Sequence, residues 1–219
     1  MFVGHFAAGL GAKAAARHTS LGTLFFGAQF LDLLWPTLLL LGFEQVRISP
    51  GITVVTPLDF THYPISHSLL AVAGWSLVVG GIYWVARRNR TAALVVGLLV
   101  ISHWVLDLVV HRPDLPLYPG DSPMVGFELW RSPAGTVAVE LALLAAGIWL
   151  YVRTTRARDR VGSVGFWALI GLLLLINAGN IAGSAPPSVS AIAWVGQAQW
   201  LLVAFGWWVD RHREVRRRA

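Results

Sequence analysis

The chain has 219 residues, of which 56% are apolar and only 13% are charged, so its composition is not that of a soluble globular domain. It carries a formal net charge of +6 and no cysteine. The lack of cysteine excludes disulfides and thiolate metal ligands, so any metal site has to use His, Asp or Glu side chains.

The first predicted element is a short helix within residues 1–18. Its apolar part, before Lys13, is too short to cross about 30 Å of hydrocarbon. It also lacks the basic start and the cleavage site of a signal peptide, so we expect a helix that enters the membrane only partway.

Six later segments are long and apolar enough to span a membrane, which takes roughly 20 helical residues. The predicted spans are 19–43, 66–86, 91–111, 133–152, 163–183 and 190–209. The predicted fold class is therefore all-α: a polytopic membrane helix bundle of about six transmembrane helices plus the partly inserted N-terminal helix. We expect residues 1–219 to form a single membrane domain.

The basic residues fall mainly on one side of these spans. Fourteen of the seventeen Lys and Arg residues lie before the first span, in the connections 87–90 and 153–160, or in the tail after 210. The positive-inside rule then predicts a multi-pass protein of the cytoplasmic (inner) membrane, with the basic loops and the C-terminus in the cytoplasm. Because topology and lipid headgroups account for this charge, no nucleic-acid partner is expected.

Four ionisable residues fall inside predicted spans, where each is a functional hypothesis because its burial in lipid is costly. They are Asp32, His103, Asp107 and Glu140. His103, Asp107 and His111 are spaced four residues apart and share one helix face.

Antiparallel packing of the second and third spans places two more histidines, His62 and His67, beside the His103–His111 face. An HxxxD pair alone is a weak signal, since a buried His and Asp can satisfy each other.

Two residues of the first 40 extend this set. Pro36 cannot donate a hydrogen bond to the Asp32 carbonyl, so that carbonyl and the Asp32 carboxylate are both open to other partners. His5 lies about 12 Å of helix before Lys13, which places it at the depth of Asp32. For the amides of Asn177, Asn180, Gln197 and Gln199 we favour hydrogen bonds between helices.

These residues resemble a known family in their order along the chain. "GHFAAG", "FLDLLWP", "HYPISHS" and "HWVLD" are similar to the motifs of the membrane-bound metal-dependent hydrolases of the YdjM, or LexA-binding inner-membrane, type. The resemblance covers about the first 120 residues. Leu34 and Tyr63 stand where the family has the second aspartate of "DLD" and the arginine of "HR". The family in turn is similar to zinc phospholipase C and P1-type nucleases, which act on phosphate esters.

The leading hypothesis is a metal-dependent hydrolase with its site in the outer half of the bilayer, acting on a lipid or lipid-linked phosphoester. The expected cofactor is a divalent metal, zinc first, with manganese or iron as alternatives. The predicted ligands are His5, Asp32, His67, His103 and Asp107.

Other residues complete this hypothesis. His62 and His111 are further ligands or orient the ligands, and Asp59, Asp114 and Glu140 are candidate bases. The expected partners are membrane lipids, a lipid-like substrate, and a partner membrane protein or a second copy of the chain. The alternative is a non-enzymatic accessory subunit whose metal or His/Asp network ties helices together. A transporter is less favoured, since it needs charges through the full depth of the membrane.

Overall fold

The computed structural model describes residues 1–217, so Arg218 of the predicted basic tail lies outside the described residues. The described part contains nine α-helices: α1 (Val3–Ala12), α2 (Leu21–Leu40), α3 (Pro64–His67), α4 (Leu69–Arg87), α5 (Arg90–Val110), α6 (Pro133–Thr154), α7 (Phe166–Ala182), α8 (Val189–Gln197) and α9 (Gln199–Arg211). The strands are β1 (Gln45–Ile48), β2 (Leu58–His62), β3 (Leu115–Pro116), β4 (Met124–Val125), β5 (Thr155–Ala157) and β6 (Arg213–Val215). The predicted all-α class is confirmed.

Six helical segments are long and apolar enough to cross a membrane: Leu21–Leu40, Leu69–Arg87, Arg90–Val110, Pro133–Thr154, Val161–Ala182 and Val189–Arg211. They correspond to the six predicted spans within a few residues at each end, and the chain is a multi-pass membrane protein. Two details were not predicted. The fifth segment begins with a π-helical turn, Val161–Gly165, and the sixth is interrupted at Ala198 between α8 and α9.

Helix α1 lies inside the bundle, where it packs against α6, α2 and α5. Its side chains Val3, Phe6 and Leu10 are fully buried. A Cβ atom added to Gly147 of α6 would lie only 2.5 Å from the Ala7 carbonyl oxygen of α1, so the two backbones touch. This close approach fixes the depth of α1, and with it the position of His5.

Helices α4 and α5 form an antiparallel pair joined by a tight turn. Ser68 caps the start of α4 by accepting from the Ala71 N–H at 3.3 Å, and Asn89 caps α5 by accepting from the Ala92 N–H at 3.0 Å. Their backbones approach closely, since a Cβ on Gly97 would lie 3.1 Å from the Ser76 carbonyl oxygen. The pair therefore brings the start of α4 beside the end of α5.

One end of the bundle carries the long connections 41–68 and 111–132 and the loop 183–188; we call it the long-loop end. These connections contain an antiparallel hairpin of β1 with β2 and a short pairing of β3 with β4. At the opposite end β5 pairs with β6, which attaches the C-terminal tail to the connection between α6 and α7.

Candidate metal centre

The five residues predicted as metal ligands come together in one region within the bundle. They come from four separate elements: His5 from α1, Asp32 from α2, His67 from α3, and both His103 and Asp107 from α5. We call these five residues the His/Asp cluster. All of them are buried except Asp32, whose side chain is 25% exposed.

Asp107 is the centre of the cluster. Its Oδ1 lies 3.1 Å from His5 Nε2, and its Oδ2 lies 3.1 Å from His103 Nε2 and 3.8 Å from His67 Nε2. The amino group of Met1 also lies 2.7 Å from Asp107 Oδ1 and pairs with this carboxylate. A protonated imidazole, or a cation held among the imidazoles, would stabilise it further.

Asp32 adds a second carboxylate on the other side of the same imidazoles. Its Oδ1 lies 3.6 Å from His103 Nε2 and 3.7 Å from His67 Nε2. The cluster thus contains two overlapping triads, one of His5, His103 and Asp107 and one of Asp32, His67 and His103, with the ligand atoms of each within 4.8 Å of one another. Nitrogen and carboxylate ligands at this spacing could hold a metal ion.

The ring of His103 is oriented for ligation. Its Nδ1 lies 2.7 Å from the carbonyl oxygen of Ala28, so Nδ1 carries the proton and donates it to that acceptor. Nε2 is buried, makes no hydrogen bond, and faces both carboxylates. Such a nitrogen either carries a second proton, which the carboxylates stabilise, or ligates a metal while the other nitrogen of the ring is held by a backbone carbonyl.

A series of side-chain hydrogen bonds, which the sequence analysis did not predict, orients His67 in the same way. Its Nδ1 lies 2.6 Å from Ser66 Oγ, which in turn donates to Glu44 Oε2 at 2.6 Å. Glu44 Oε1 accepts the backbone N–H groups of Ile65 and Ser66, each at 2.8 Å. Because Ser66 is adjacent to His67 in the sequence, it could have been predicted as a partner of this histidine. Glu44 lies in a distant connection, and only the fold brings it here.

Glu140, a predicted base, belongs to α6, and its carboxylate lies beside the first residues of α1. Its Oε2 accepts the N–H groups of Phe2, Val3 and Gly4 at 3.2, 2.8 and 3.4 Å. A carboxylate at a helix N-terminus is favourable because the first N–H groups of a helix lack partners. Glu140 therefore holds α1 in place, and its role as a base stays a prediction. The amino group of Met1 lies 2.7 Å from Asp107 Oδ1.

His111 does not join the two triads, but it lies at the long-loop end of the same face of α5. Its Nδ1 lies 2.9 Å from Asp114 Oδ1, and its ring packs against Trp130 with the ring centres 4.3 Å apart. Arg112 contacts Asp114 through Nε at 3.1 Å and pairs with Asp59 through Nη2. The predicted base Asp59 is thus engaged by an arginine, and its catalytic role also stays a prediction.

Two neighbouring positions complete this end of the site. His62, predicted beside the cluster, is exposed on β2, whereas only His67 reaches the cluster. Burial, together with the nearby Asp114 carboxylate, raises the pKa of Tyr63, so its hydroxyl stays protonated and donates to the Asp114 carbonyl oxygen at 3.0 Å. Tyr63 therefore supports the loop that orients His111.

Pro36 leaves the Asp32 carbonyl oxygen without its helical hydrogen bond, and a side chain next to the break in the last span donates to it. Helix α2 continues through Pro36, and Gln199 Nε2 donates to the Asp32 carbonyl oxygen at 3.5 Å. Gln197 Nε2 donates to Thr37 Oγ1 at 2.7 Å. These two predicted amide hydrogen bonds attach α8 and α9 to the helix that carries Asp32.

The cluster borders a cavity of about 700 Å³. Asp32, His67, Asp107, His111 and Glu140 line one part of it. The start of the chain, segment 55–60 and Trp130 line another part, and residues of α7, α8 and α9 line a third. A ligand in this cavity can therefore reach the cluster at Asp32, His67 and Asp107.

A second buried charged group lies at the opposite end, where the sequence suggested almost no charge within the membrane. Lys13 Nζ lies 2.7 Å from Asp210 Oδ2 and donates to the Thr19 carbonyl oxygen at 2.8 Å. Tyr151 donates to Asp210 Oδ1 at 2.7 Å. Asp210 lies in the apolar last span, and only the tertiary structure shows that Lys13 and Tyr151 pair with it.

Comparison of the chain with family models, with curated proteins and with solved structures finds no match to any of them. The function is therefore argued from the geometry of the cluster and its cavity.

Proposed function

We propose that the chain is a metal-dependent hydrolase of the membrane, of the YdjM type, that cleaves a phosphoester bond. The observation that carries this proposal is the buried, unpartnered Nε2 of His103, which faces the carboxylates of Asp32 and Asp107 from two different helices. Two carboxylates converge on this one imidazole, and a divalent cation held among them would balance both negative charges and use Nε2 as a ligand.

The chemistry of the ligands favours zinc, with manganese or iron as alternatives. When bound, such an ion lowers the pKa of water toward neutrality and polarises an ester. The phosphoester is the substrate implied by the resemblance in the first 120 residues.

The arrangement suits catalysis because the cluster borders a cavity. A catalytic metal keeps one position for water or substrate, whereas a structural metal is enclosed by protein ligands. Asp32 and His67 face the cavity, while His5 and His103 lie behind them in the bundle.

His111 is placed to move a proton in this cavity. Asp114 holds its Nδ1, and the ring lines the same cavity as Asp32 and Asp107. An imidazole oriented by a carboxylate is a common general acid or base. In hydrolysis it accepts a proton from the attacking water and returns one to the departing alcohol as the phosphorus–oxygen ester bond breaks.

By the positive-inside rule, the long-loop end faces outward in the cytoplasmic membrane. Asp32 is the twelfth of the 20 residues of α2, and His103 is the fourteenth of the 21 residues of α5, so the cluster is in the half of the bundle nearest that end. The site then lies in the outer half of the bilayer.

The alternative function is structural. The cluster joins α1, α2, α3 and α5, and Asp107 contacts both His5 and the amino group of Met1 directly. A network of this kind can tie helices together in an accessory subunit without turnover.

Metal analysis tests the proposal directly. We would measure metal by mass spectrometry in detergent-purified wild type, His103→Ala and Asp107→Ala, with the exposed His62→Ala as the matched control. The hydrolase predicts near-stoichiometric metal in wild type and His62→Ala, loss of metal in the other two variants, and phosphoesterase activity that follows the metal. Negligible metal in all four proteins, purified without chelator, overturns it in favour of the structural network.

A further inference from the structure

The cavity beside the His/Asp cluster extends between α7 and α8, where its walls become apolar. This part, which we call the α7–α8 cleft, is lined by Leu172, Ile176, Ile192, Val195, Leu201 and Leu202. The whole cavity, about 700 Å³, falls within the range of about 300–1,000 Å³ of sites that bind small molecules. The cleft is therefore large enough for an extended ligand that also reaches the cluster.

The cleft exists because α7 and α8 pack on different neighbours. Helix α8 packs on α2, where a Cβ on Gly196 would lie only 2.5 Å from Pro36 Cγ. Helix α7 packs instead on α9 and α1. The loop 183–188 joins the two helices at the long-loop end. Their diverging attachments leave a gap that faces the surrounding lipid.

Polarity changes along α7 in the direction expected for a lipid. Asn177 and Asn180 line the cavity near the long-loop end, and Ile176 and Leu172 line it deeper in the bundle. Leu172 and Asn180 are separated by about 12 Å of helix rise. The amides can bind a polar head by donating or accepting, and the deeper side chains can only contact hydrocarbon.

The surface beside the cleft is also apolar. Val195 and Leu201 line the cavity and yet are 72% and 71% exposed. In a membrane protein, side chains at such positions face acyl chains. A ligand can therefore enter sideways from the bilayer without passing through water.

We propose that the α7–α8 cleft holds a hydrocarbon chain of a membrane lipid whose polar head lies at the His/Asp cluster. This inference rests on the proposed hydrolase and narrows its substrate to lipid phosphoesters that enter from the leaflet nearest the long-loop end. The proposal also gives the second half of the protein a role, because α7, α8 and α9 supply the walls that select the hydrocarbon chain of the lipid.

Two glycines on α7 allow a matched test. A Cβ added at Gly179 or at Gly171 meets nothing within 4 Å, so a larger side chain can leave the backbone at both positions without a clash. Gly179 lines the cavity, whereas Gly171 is not among its lining residues. Gly179→Trp narrows the cleft, and Gly171→Trp places the same bulk on the same helix outside it.

The experiment uses the full chain in nanodiscs that contain phosphatidylglycerol with a photoreactive diazirine on one acyl chain. Crosslinked peptides are identified by mass spectrometry, and the metal content of each preparation is measured in parallel. We expect crosslinks at Ile176 and Ile192 above those at the lipid-facing Leu77, which is 78% exposed. Gly179→Trp should reduce the crosslinks at Ile176 and Ile192 several-fold, and Gly171→Trp should leave them unchanged.

The outcomes separate the two proposals. Equal crosslinking of α4, α7 and α8, or equal effects of the two tryptophan variants, overturns the lipid site even when the protein holds metal. Protection of α7 and α8 from the probe also overturns it, because a second copy of the chain then covers the cleft. Cleft-specific crosslinks in protein that binds no metal support the lipid site and contradict the proposed hydrolase function.

Discussion

At the scale of single residues, each cluster histidine with an identified outer partner uses its two ring nitrogens for different purposes. In His103 and His67, Nδ1 is held by an outer partner and Nε2 faces the carboxylates. The partners differ: a backbone carbonyl of α2 holds His103, whereas Ser66 and Glu44 hold His67. The orientation of His67 therefore depends on side chains that substitution can remove.

Ser66→Ala should weaken metal binding by about 10–100-fold, the usual effect of removing an outer partner of a ligating histidine. The substitution leaves His67 in place but removes the acceptor that fixes its tautomer. Competition with a chromophoric chelator measures the change. Ser102→Ala is the matched control, because Ser102 Oγ donates only to the Leu99 carbonyl oxygen of its own helix. Equal affinities of the two variants would contradict this assignment.

At the scale of elements, the position of the cluster depends on helices that approach closely at glycine. Gly147 lets α6 contact α1 at Ala7, and α1 carries His5. Gly196 lets α8 contact α2 at Pro36, four residues after Asp32. Small residues are common at such crossings in membranes, because packing replaces the hydrophobic effect as the force between helices.

Gly147→Ala should destabilise the protein by about 1–3 kcal/mol, the usual cost of adding atoms to a filled interface, and should lower its metal content. The added Cβ lies 2.5 Å from the Ala7 carbonyl oxygen, so α1 has to move and His5 moves with it. Thermal unfolding in detergent and metal analysis measure the two effects.

Gly171→Ala is the control for this prediction, since a Cβ there meets nothing within 4 Å. Both variants gain up to about 1 kcal/mol of helix propensity, so a difference between them reports the contact alone. Unchanged stability and metal content in Gly147→Ala would show that α1 is not held at this crossing.

At the scale of the whole molecule, charged groups connect the first helix to the last. Lys13 follows α1, and Asp210 lies in the last turn of α9; both side chains are nearly buried and their charged atoms are 2.7 Å apart. Asp107 and Glu140 hold the other end of α1. The N-terminal helix is thus fixed at both ends by residues distant in sequence.

Lys13→Ala should destabilise the protein by about 3–5 kcal/mol, because it leaves the Asp210 carboxylate buried without its cation. Thermal unfolding in detergent measures the loss, and Lys13→Ala/Asp210→Ala should lose less than the sum of the single variants. Arg156→Ala, which breaks an exposed pair with Glu214, should cost at most about 1 kcal/mol. Equal losses of stability in Lys13→Ala and Arg156→Ala would show that the buried ion pair stabilises the protein no more than the exposed pair does.

A bound ion should also stabilise the bundle as a whole, because the cluster joins elements from residue 5 to residue 107. Restoring zinc at 100 times its Kd to chelator-treated protein should add about 2.7 kcal/mol to the free energy of unfolding. The shift in unfolding temperature measures it, with His103→Ala as the control that should not respond. Identical responses of wild type and His103→Ala would place the zinc outside the cluster.

The sequence by itself determined the fold class, the six spans and the residue types of the site. The length of an apolar run decides whether it can cross the membrane, and this is a local property of the chain. The i, i+4 spacing of His103 and Asp107 likewise defines a helix face before any packing is known. The break at Ala198 was missed, because the hydropathy of the last span continues through it.

Only the tertiary structure decided which polar groups meet. His67 reaches the cluster and His62 does not, since the turn from β2 into α3 points them in different directions. Glu44 orients His67 through Ser66, Glu140 holds α1, and Asp210 pairs with Lys13, in contacts between residues 22 to 197 positions apart in the chain. These partners depend on how the helices pack, and the cleft depends on where two helices fail to pack. Neither property is encoded in a local stretch of sequence.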